Sequence, residues 1–503
     1  MDGAQVVVNA YRPVSGELDE ELRLAEGEPP PGLRGVLFRN GPGRLEVHGT
    51  PQMHPFDGDG MVCRFEFGED GRVYYKNRWV RTEEFVREEQ AGRMLFRNFG
   101  TNLPGGLWKN GLRLKFKNAA NTSVVMHGGK LLALWEAGLP HRLDPATLAT
   151  EARDDFEGAL LNRRGPPSSW ISRELPFSAH PKVCPRTGEL FNFGLQIGPS
   201  PDLVIYRVDP AGVVRSIARV PLEQASFMHD FVITARHLVF FASPIHFDLA
   251  RALSGLTTPV EAIRRRENES TEILVVPRDF HGDPSRRTPP DVSVDRFRAP
   301  SGFFLFHFFN AYEDPSGELV VDGCRMARFE GGTVDLRDPE SVRSVPFDPA
   351  YPTRWRIDPR TKSVSESRLT DVPMELPFVD RRRVGRPHRI GWGTVRSEQS
   401  GTPVHTAIGR LDMGTGQVVQ RELAPDLPGE LVFVPRSDTA DEDDGVLLSV
   451  VYRAESHTSE LWALDPRDLR TMARWELPQH LPPGFHGWFV PSGANRTVTA
   501  TED

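Results

Sequence analysis

Cysteine is scarce in this sequence: Cys63, Cys184 and Cys324 are the only three in 503 residues, and they lie far apart. An odd number at such spacing does not build a disulfide framework, which favours a reducing compartment. Long apolar runs are also missing, because no stretch of about 18 residues is both apolar and uncharged, so no membrane-spanning helix is expected. The first residues show neither the basic nor the apolar part of a secretion signal, and a cytoplasmic protein is expected.

Lysine is nearly absent as well, with 7 residues against 54 arginines, and the positive charges form no block. Together with a net charge of −8, this argues against nucleic acid as a partner. Tyrosine is rare beside phenylalanine, at 7 against 30 residues. Most of the aromatic content therefore has no polar group, as is typical of an apolar core or of a tunnel for an apolar ligand.

A weak internal repeat gives the clearest indication of the fold. Each copy is an alternating apolar strand that ends in Asp and a tight turn, because Asp bonds the backbone that follows it and Pro fixes φ within the turn. The five copies carry Asp144, Asp209, Asp358, Asp412 and Asp465. The last two intervals are 54 and 53 residues, close to the period of about 40 to 50 residues that is typical of propeller blades. An all-β fold, a β-propeller, is therefore expected.

A propeller blade cannot bury both of its faces alone, so the repeat predicts one closed domain over residues 1–503. Residues 1 to about 30 are expected to form an N-terminal extension. The irregular stretch from about residue 244 to 301 predicts an insertion.

Four histidines in apolar, strand-like segments are the main functional signal: His180, His229, His307 and His486. Their intervals of 49, 78 and 179 residues are too long for one helix or loop, so only tertiary structure could bring them together. The innermost strands of a propeller line its axis, so one inward residue per blade could build a ring of imidazoles around a metal ion. Neutral imidazole suits iron, copper, zinc and nickel, whereas a lone buried histidine is more often a hydrogen-bonded core residue.

Several segments together resemble the carotenoid cleavage oxygenase family. They are residues 37–43 and 56–61, the run at 442–451, and the surroundings of His180, His229, His307 and His486. The resemblance extends from about residue 30 to the C-terminus. It implies a seven-bladed propeller with inserted loops and short helices capping the metal face. It also implies one Fe(II) per chain, held by the four histidines, with O₂ as co-substrate.

The resemblance further implies three glutamates behind the histidines, because a carboxylate that accepts from the second ring nitrogen fixes the orientation of the ring and makes it more basic. The implied pairs are Glu136 with His229, Glu375 with His307, and Glu430 with His486. Outside the family, glutamates near strand ends are usually solvated. Four nitrogen ligands leave two positions of an octahedral ion open, and Thr122 would lean toward one of them. Its alternative role is that of an ordinary β-branched strand residue.

The implied reaction splits a carbon–carbon double bond of a carotenoid or apocarotenoid into two carbonyl products, with an apocarotenal cut centrally to retinal as the leading candidate. No glycine-rich dinucleotide motif follows a strand, so no nucleotide cofactor is expected. A long polyene must be held in register, so the wall of the tunnel would select the bond. The expected wall residues are Trp135, Phe303, Phe304, Phe306, Phe308 and Trp488.

Three alternatives follow from the same residues. Stilbene-cleaving members of the family carry a lysine directly before the first glutamate, where this chain has Trp135, which favours a polyene. The retinoid isomerohydrolases keep the iron site without using O₂, and the bacterial-like length and ungapped motifs disfavour that branch. A non-catalytic propeller that only binds partners would have a degenerate metal site, whereas here every implied ligand is present.

The segment from Pro244 to Leu256 is apolar and precedes the basic run Ile263-Arg-Arg-Arg. This pattern predicts either peripheral contact with a membrane surface or an insertion helix packed on the propeller. An apolar polyene is the expected small-molecule partner. The oligomeric state has no signal in the sequence.

Overall fold

The computed structural model describes residues 2–113, 116–163, 172–198, 200–286, 288–345, 348–397 and 404–493. Within this part of the chain, seven antiparallel sheets of four to six strands form the blades of a β-propeller. The predicted seven-bladed, all-β fold is confirmed. The blades are numbered here in chain order, and within a blade the strands are given from the axis outward.

Blades 2, 3 and 4 are regular four-stranded meanders. Blade 2 consists of Ser123–His127, Lys130–Leu134, His141–Leu143 and Thr150–Arg153. Blade 3 consists of Lys182–Val183, Leu190–Gln196, Asp202–Val208 and Val214–Pro221. Blade 4 consists of Val232–Ile233, His237–Ala242, Glu272–Pro277 and Asp295–Arg298.

Blades 5 and 6 repeat this meander. Blade 5 consists of Phe304–Glu313, Leu319–Met326, Ala350–Asp358 and Ser363–Arg368. Blade 6 consists of Met374–Phe378, Ile390–Val395, Ala407–Asp412 and Val418–Glu422. Burial falls from the axis to the rim: every residue of Ile390–Val395 is buried, whereas Ser363–Arg368 has none buried. Sheet faces near the axis pack against neighbouring blades, and the outer strands meet solvent.

The two ends of the chain close the ring. Blade 1 consists of Gly487–Pro491, Gly35–Arg44, Asp59–Phe67, Val73–Trp79 and Asp19–Glu21. Blade 7 consists of Leu427–Pro428 with Val432–Pro435, then Gly445–Arg453, Thr458–Leu464, Thr471–Glu476 and Arg23–Gly27. The C-terminal strand pairs with the N-terminal part of the chain, with Val490 opposite Val36. The predicted N-terminal extension thus supplies the outer strands of two blades.

Short elements connect the blades. The helices are α1 (Gly3–Ala10), α2 (Glu83–Ala91), α3 (Leu107–Asn110), α4 (Leu249–Ser254) and α5 (Pro339–Ser344). Single 3₁₀ turns occupy Pro55–Asp57, Val260–Ala262 and Arg381–Arg383. Two small hairpins pair Glu46–Val47 with Thr50–Pro51 and Ile245–Phe247 with Ile263–Arg265. No helix in the described ranges is long and apolar enough to cross a membrane.

The repeated Asp residues lie where the turn chemistry predicts. Each of the five follows or ends the third strand of its blade, at the hairpin to the fourth. Asp144 Oδ1 accepts from the backbone N of Ala146 and Thr147, and Asp412 Oδ1 accepts from Gly414. Blades 1 and 4 lack the motif, and its absence from blade 4 accounts for the long interval between Asp209 and Asp358.

The predicted insertion is smaller than expected. Two segments inside residues 244–301, Glu272–Pro277 and Asp295–Arg298, are the outer strands of blade 4. The run Ile273-Leu-Val-Val276 is apolar and buried, so it packs as a strand despite its irregular flanks. The irregular part is the hairpin Ile245–Phe247 with Ile263–Arg265, together with α4 and the 3₁₀ turn that it encloses.

Candidate metal centre

Seven polar side chains converge on the propeller axis, each from a different blade. In the order of blades 1 to 7 they are His486, Glu136, His180, His229, His307, Glu375 and Glu430. His486 directly precedes an inner strand, His180 and His229 are separated from theirs by one and two residues, and His307 lies within one. Glu136 comes from the turn after the second strand of blade 2. Because inner strands line the axis, residues far apart in sequence meet at one point.

The four imidazoles stand close enough to share one ion. The ring centres of His180 and His229 are 4.3 Å apart, and their Nε2 atoms are 2.9 Å apart. Two nitrogens bound side by side to one ion at about 2.1 Å lie about 3 Å from each other. The ring centres of His307 and His486 are 4.9 Å apart. Among the described residues, the buried Nε2 of His307 has no hydrogen-bond partner, as a metal-binding atom would be left.

Two of the glutamates fix their histidines with short hydrogen bonds. His307 Nδ1 donates to Glu375 Oε2 at 2.6 Å, and His486 Nδ1 donates to Glu430 Oε1 at 2.7 Å. In each case the ring uses Nδ1 for the carboxylate, so Nε2 is directed to the axis as the metal-binding nitrogen. The second oxygen of Glu430 accepts from Arg39 Nη1 at 3.0 Å and from the Gly487 backbone at 2.8 Å.

Glu136 has no such hydrogen bond to a histidine. Its Oε1 lies 3.3 Å from His229 Nδ1 and 3.4 Å from His180 Nε2, and neither contact has hydrogen-bond geometry. Burial, reinforced by the nearby Asp230 carboxylate, raises the pKa of Glu136 well above its usual value. Glu136 therefore lies between two histidines, and it forms a hydrogen bond with neither His229 nor His180.

Burial keeps most of the imidazoles neutral. The pKa of His180 and of His229 is far below its usual value, first through burial and then through the neighbouring histidines. Burial also lowers the pKa of His486, against the pull of Glu430. At His307 burial acts in the same direction, but Glu375 outweighs it and the pKa is raised. Neutral imidazole is the form that ligates metals, so the donor set fits a divalent ion.

A cavity of about 930 Å³ opens beside the histidines. His229, His307 and His486 form part of its wall, together with Thr122, whose side chain is 9% exposed. The backbone N of His486 donates to the Thr122 carbonyl at 3.2 Å, which ties the start of blade 2 to the closing strand of blade 1. A molecule bound at this part of the wall would therefore lie beside the histidines.

Comparison with known proteins places this site in a family. The family model of the retinal pigment epithelial membrane protein matches residues 11–491. The apocarotenoid-15,15'-oxygenase of Synechocystis sp. is 34% identical over 490 residues, with 95% of each chain covered. The isoeugenol monooxygenase of Pseudomonas nitroreducens is 32% identical and covers 96% of this chain and 98% of its own. The crystal structure of the cobalt-substituted Synechocystis oxygenase superposes with a TM-score of 0.86 at 33% identity, covering 97% of this chain and 99% of that one.

The chain belongs to the carotenoid cleavage oxygenase family. It is an oxidoreductase of the oxygenase type, and the resemblance found in its sequence motifs is confirmed. Variants of the Synechocystis oxygenase with a replaced threonine, tryptophan or glutamate have been solved. The spacing of those three residues equals that of Thr122, Trp135 and Glu136 in this oxygenase.

The cavity wall of this oxygenase differs from the predicted tunnel. Trp135 and Phe306 line it, whereas four other predicted residues do not. Those four are Phe303, Phe304, Phe308 and Trp488. The strand that carries Phe304, Phe306 and Phe308 is interrupted by bulges between Leu305 and Asn310, so these side chains do not all face the cavity.

Phe303, Phe304 and Phe308 fill the protein interior instead, and Trp488 is half-buried. Phe303 stacks on Trp355 with ring centres 5.1 Å apart, and Phe308 packs edge to face on Phe241 at 5.1 Å. Phe304 is fully buried behind Phe306. Trp488 lies under the Arg381 guanidinium, 3.7 Å from the ring centre. Phe308 thus joins blade 5 to blade 4, and Trp488 joins blade 1 to the 3₁₀ turn Arg381–Arg383.

Other aromatic residues line the cavity in place of these four. They are Phe56, Phe99, Phe116, Phe227, Phe247 and Phe485. The histidine motifs could have predicted two of them, because Phe227 stands two residues before His229 and Phe485 directly precedes His486. The others come from loops of blades 1 and 4, whose folding over the axis has no local sequence signal.

Proposed function

We propose that this oxygenase uses one Fe(II) per chain and O₂ to cleave a carbon–carbon double bond of a carotenoid or apocarotenoid into two carbonyl products. The observation that carries the proposal is the position of the histidine cluster in the wall of a large, mainly apolar cavity. A cavity of about 930 Å³ lies near the upper end of the usual range for small-molecule sites, about 300–1,000 Å³. A space of this size suits an extended polyene better than a single phenolic ring.

Four histidines would hold the iron: His180, His229, His307 and His486. When bound, Fe(II) would supply open coordination positions at which O₂ is activated. Glu375 and Glu430 hold two of the rings in place through their Nδ1 hydrogen bonds. Thr122 lies in the wall beside His486 and narrows the space in front of the ligands.

The side chain before the first glutamate supports a polyene substrate. Trp135 lines the cavity there, and no lysine lines the described part of the wall. A phenol therefore finds no ammonium group that would stabilise its phenolate, while an extended polyene needs no such activation. The apocarotenoid-15,15'-oxygenase relative supports retinal as a product, because its name places the cut at the central double bond.

A phenolic substrate is the second candidate. Two relatives of this oxygenase, the isoeugenol monooxygenase of Pseudomonas nitroreducens and the resveratrol cleavage oxygenase of Aspergillus fumigatus, are named for phenolic compounds. Incubation in air with an apocarotenal and with a 4-hydroxystilbene, followed by mass analysis, separates the two. We expect two carbonyl products from the polyene, each with one oxygen atom from ¹⁸O₂, and little turnover of the stilbene. Efficient stilbene cleavage without polyene cleavage would overturn the choice of substrate.

Peripheral contact with a cytoplasmic membrane surface is part of the same proposal. Within the predicted segment, Ile245, Ala252 and Ile263 are buried, but Leu256 is 73% exposed. It shares a surface with the exposed side chains of the 107–112 loop, because the backbone N of Leu112 donates to the Leu253 carbonyl. We call this surface the apolar rim, and it consists of Leu107, Trp108, Leu112 and Leu256.

The apolar rim borders the cavity, since α4 contributes Leu249 and Ala252 to the cavity wall. A membrane-dissolved polyene could thus pass from lipid into the protein. In liposome flotation, the double substitution Trp108→Ser and Leu112→Ser should abolish co-flotation, while Val419→Ser on the outer strand of blade 6 should not. Equal flotation of both variants would contradict a contact through this rim.

A further inference from the structure

One part of the cavity wall carries hydrogen-bonding side chains that the proposed reaction does not use. We call this part the branch, and it consists of Thr394, His405 and Tyr11. It starts at the metal centre, where Glu375 belongs to the inner strand of blade 6, and a series of contacts leads outward from there. Thr394 Oγ1 donates to the Glu375 carbonyl at 3.1 Å and lies 2.7 Å from His405 Nδ1. His405 precedes the third strand of blade 6 and lines the cavity.

The hydrogen bonds of Thr394 fix the tautomer of His405. The single hydroxyl proton of Thr394 is given to the Glu375 carbonyl, so Thr394 Oγ1 accepts from His405 Nδ1. Burial lowers the pKa of His405 to about 4, which keeps the ring neutral near pH 7. Its Nε2 is therefore an acceptor, and it has no hydrogen-bond partner among the described residues.

The branch also includes Tyr11, at the C-terminal end of α1. Its ring packs in an apolar cluster with Val404, the residue before His405. The Tyr11 hydroxyl makes no hydrogen bond to any described residue, and burial raises its pKa to about 12. Tyr11 thus offers an O–H donor in the same cavity wall as the His405 acceptor.

An acceptor and a donor in the same mainly apolar wall are complementary to one chemical group. A hydroxyl can donate to His405 Nε2 and accept from the Tyr11 hydroxyl at the same time, whereas a hydrocarbon end would leave both groups without partners. We propose that this branch binds a hydroxyl group at the end of the polyene and so sets the register of the chain against the metal centre. This inference rests on the polyene substrate proposed above.

Binding can be measured without turnover by titrating the iron-loaded protein in the absence of O₂. The probes are a β-apocarotenal and its 3-hydroxy derivative, followed by quenching of tryptophan fluorescence. Each hydrogen bond should contribute roughly 2- to 10-fold to affinity, so the wild type should prefer the hydroxylated ligand. Tyr11→Phe and His405→Leu should each lose that share of the preference while binding the other ligand as before.

Two matched controls locate the effect. Tyr74→Phe removes a hydroxyl from an exposed residue of blade 1, and Ser172→Ala removes one from another part of the cavity wall. Both should keep the wild-type preference. Equal affinity of the wild type for the two ligands, or loss of the preference only in Ser172→Ala, would overturn the inference and leave the polyene substrate standing. Failure to bind either ligand would overturn the substrate proposal and the inference together.

Discussion

Arg39 and Glu430 form a buried ion pair behind the metal centre, with Arg39 Nη1 3.0 Å from Glu430 Oε2. Both residues are 4% exposed, and Glu430 uses its other oxygen for His486. Burial lowers the pKa of Arg39, while the Glu430 carboxylate opposes that effect. The pair joins the second strand of blade 1 to the inner edge of blade 7, where the ring of blades closes. The Glu430 carboxylate therefore both joins blade 7 to blade 1 and orients the His486 ring.

We expect Arg39→Gln to destabilise the fold by about 3–5 kcal/mol, because it leaves the Glu430 carboxylate buried without its cation. Urea unfolding followed by circular dichroism measures the change. Arg72→Gln is the matched control: Arg72 pairs with Asp70 on the surface, so its loss should change the stability little. Similar losses in the two variants would show that the buried pair contributes little to stability.

His307→Ala should remove most of the bound iron and leave the propeller folded. The loss should exceed the roughly 10- to 100-fold that removal of an outer hydrogen-bond partner typically costs, because a ligand itself is gone. Metal analysis of the purified protein is the measurement, with circular dichroism as the check on folding. His281→Ala, at an exposed histidine, should keep one iron per chain. Full occupancy in His307→Ala would refute the ligand assignment.

The three glutamates should differ when each is changed to glutamine. Glu375→Gln should lower iron affinity by about 10- to 100-fold, because it weakens the 2.6 Å bond that orients His307. Glu136→Gln should have a smaller effect, since Glu136 makes no well-formed hydrogen bond to either neighbouring histidine. Competition with a chelator of known affinity gives the constants. An equal or larger loss in Glu136→Gln would contradict the order.

Glu430→Gln separates two roles of one residue. It should lower iron affinity as Glu375→Gln does and also destabilise the fold, because Arg39 loses its partner. Glu375 has no cationic partner in the described structure, so Glu375→Gln should change the urea midpoint little. Loss of stability in the Glu375 variant, with none in the Glu430 variant, would reverse this assignment.

The sequence predicts which residues meet at the propeller axis better than it predicts which residues line the cavity. Turn chemistry at residues such as Asp144 and Asp412 is local, so it is visible in a single sequence and gives the blade period. The four histidines, Glu375 and Glu430 lie in motifs within or near inner strands, and the propeller geometry then brings them together. Their meeting follows from the fold class, whereas Glu136 joins them from a turn after the second strand of blade 2.

Whether a residue lines the cavity depends on the direction of its side chain, and long-range packing sets that direction. Phe306 and Phe308 stand in the same aromatic run, yet only Phe306 reaches the cavity, because a bulge interrupts the strand at this point. Tyr11 comes from a segment outside the blades, so no spacing to a motif could have identified it. The contact of Arg39 with Glu430 joins residues 391 positions apart, and no local pattern encodes it.

Asp57 is a buried carboxyl group outside the metal centre. It is 2% exposed and accepts from the Gly100 backbone N at 2.9 Å and from Thr101 Oγ1 at 2.6 Å. Burial raises its pKa to about 7, although these hydrogen bonds act in the opposite direction. Asp57 therefore holds the loop at residues 98–101, which contributes Phe99 to the cavity wall.

Because the pKa of Asp57 is raised in the folded state, its contribution to stability is fully present below about pH 4 and is lost as the pH rises through about 7. Asp57→Asn keeps the acceptor oxygen without the charge, so the variant should gain stability relative to wild type across that window, by as much as about 4 kcal/mol. Urea midpoints at several pH values between 4 and 8 measure this difference. Asp144→Asn is the control with the opposite sign, because hydrogen bonds from Thr147 lower the pKa of Asp144. The difference between Asp144→Asn and wild type should change only in acid, below about pH 4. If the gap between Asp57→Asn and wild type stayed constant from pH 4 to 8, Asp57 would be ionised throughout, and its burial would not control the proton.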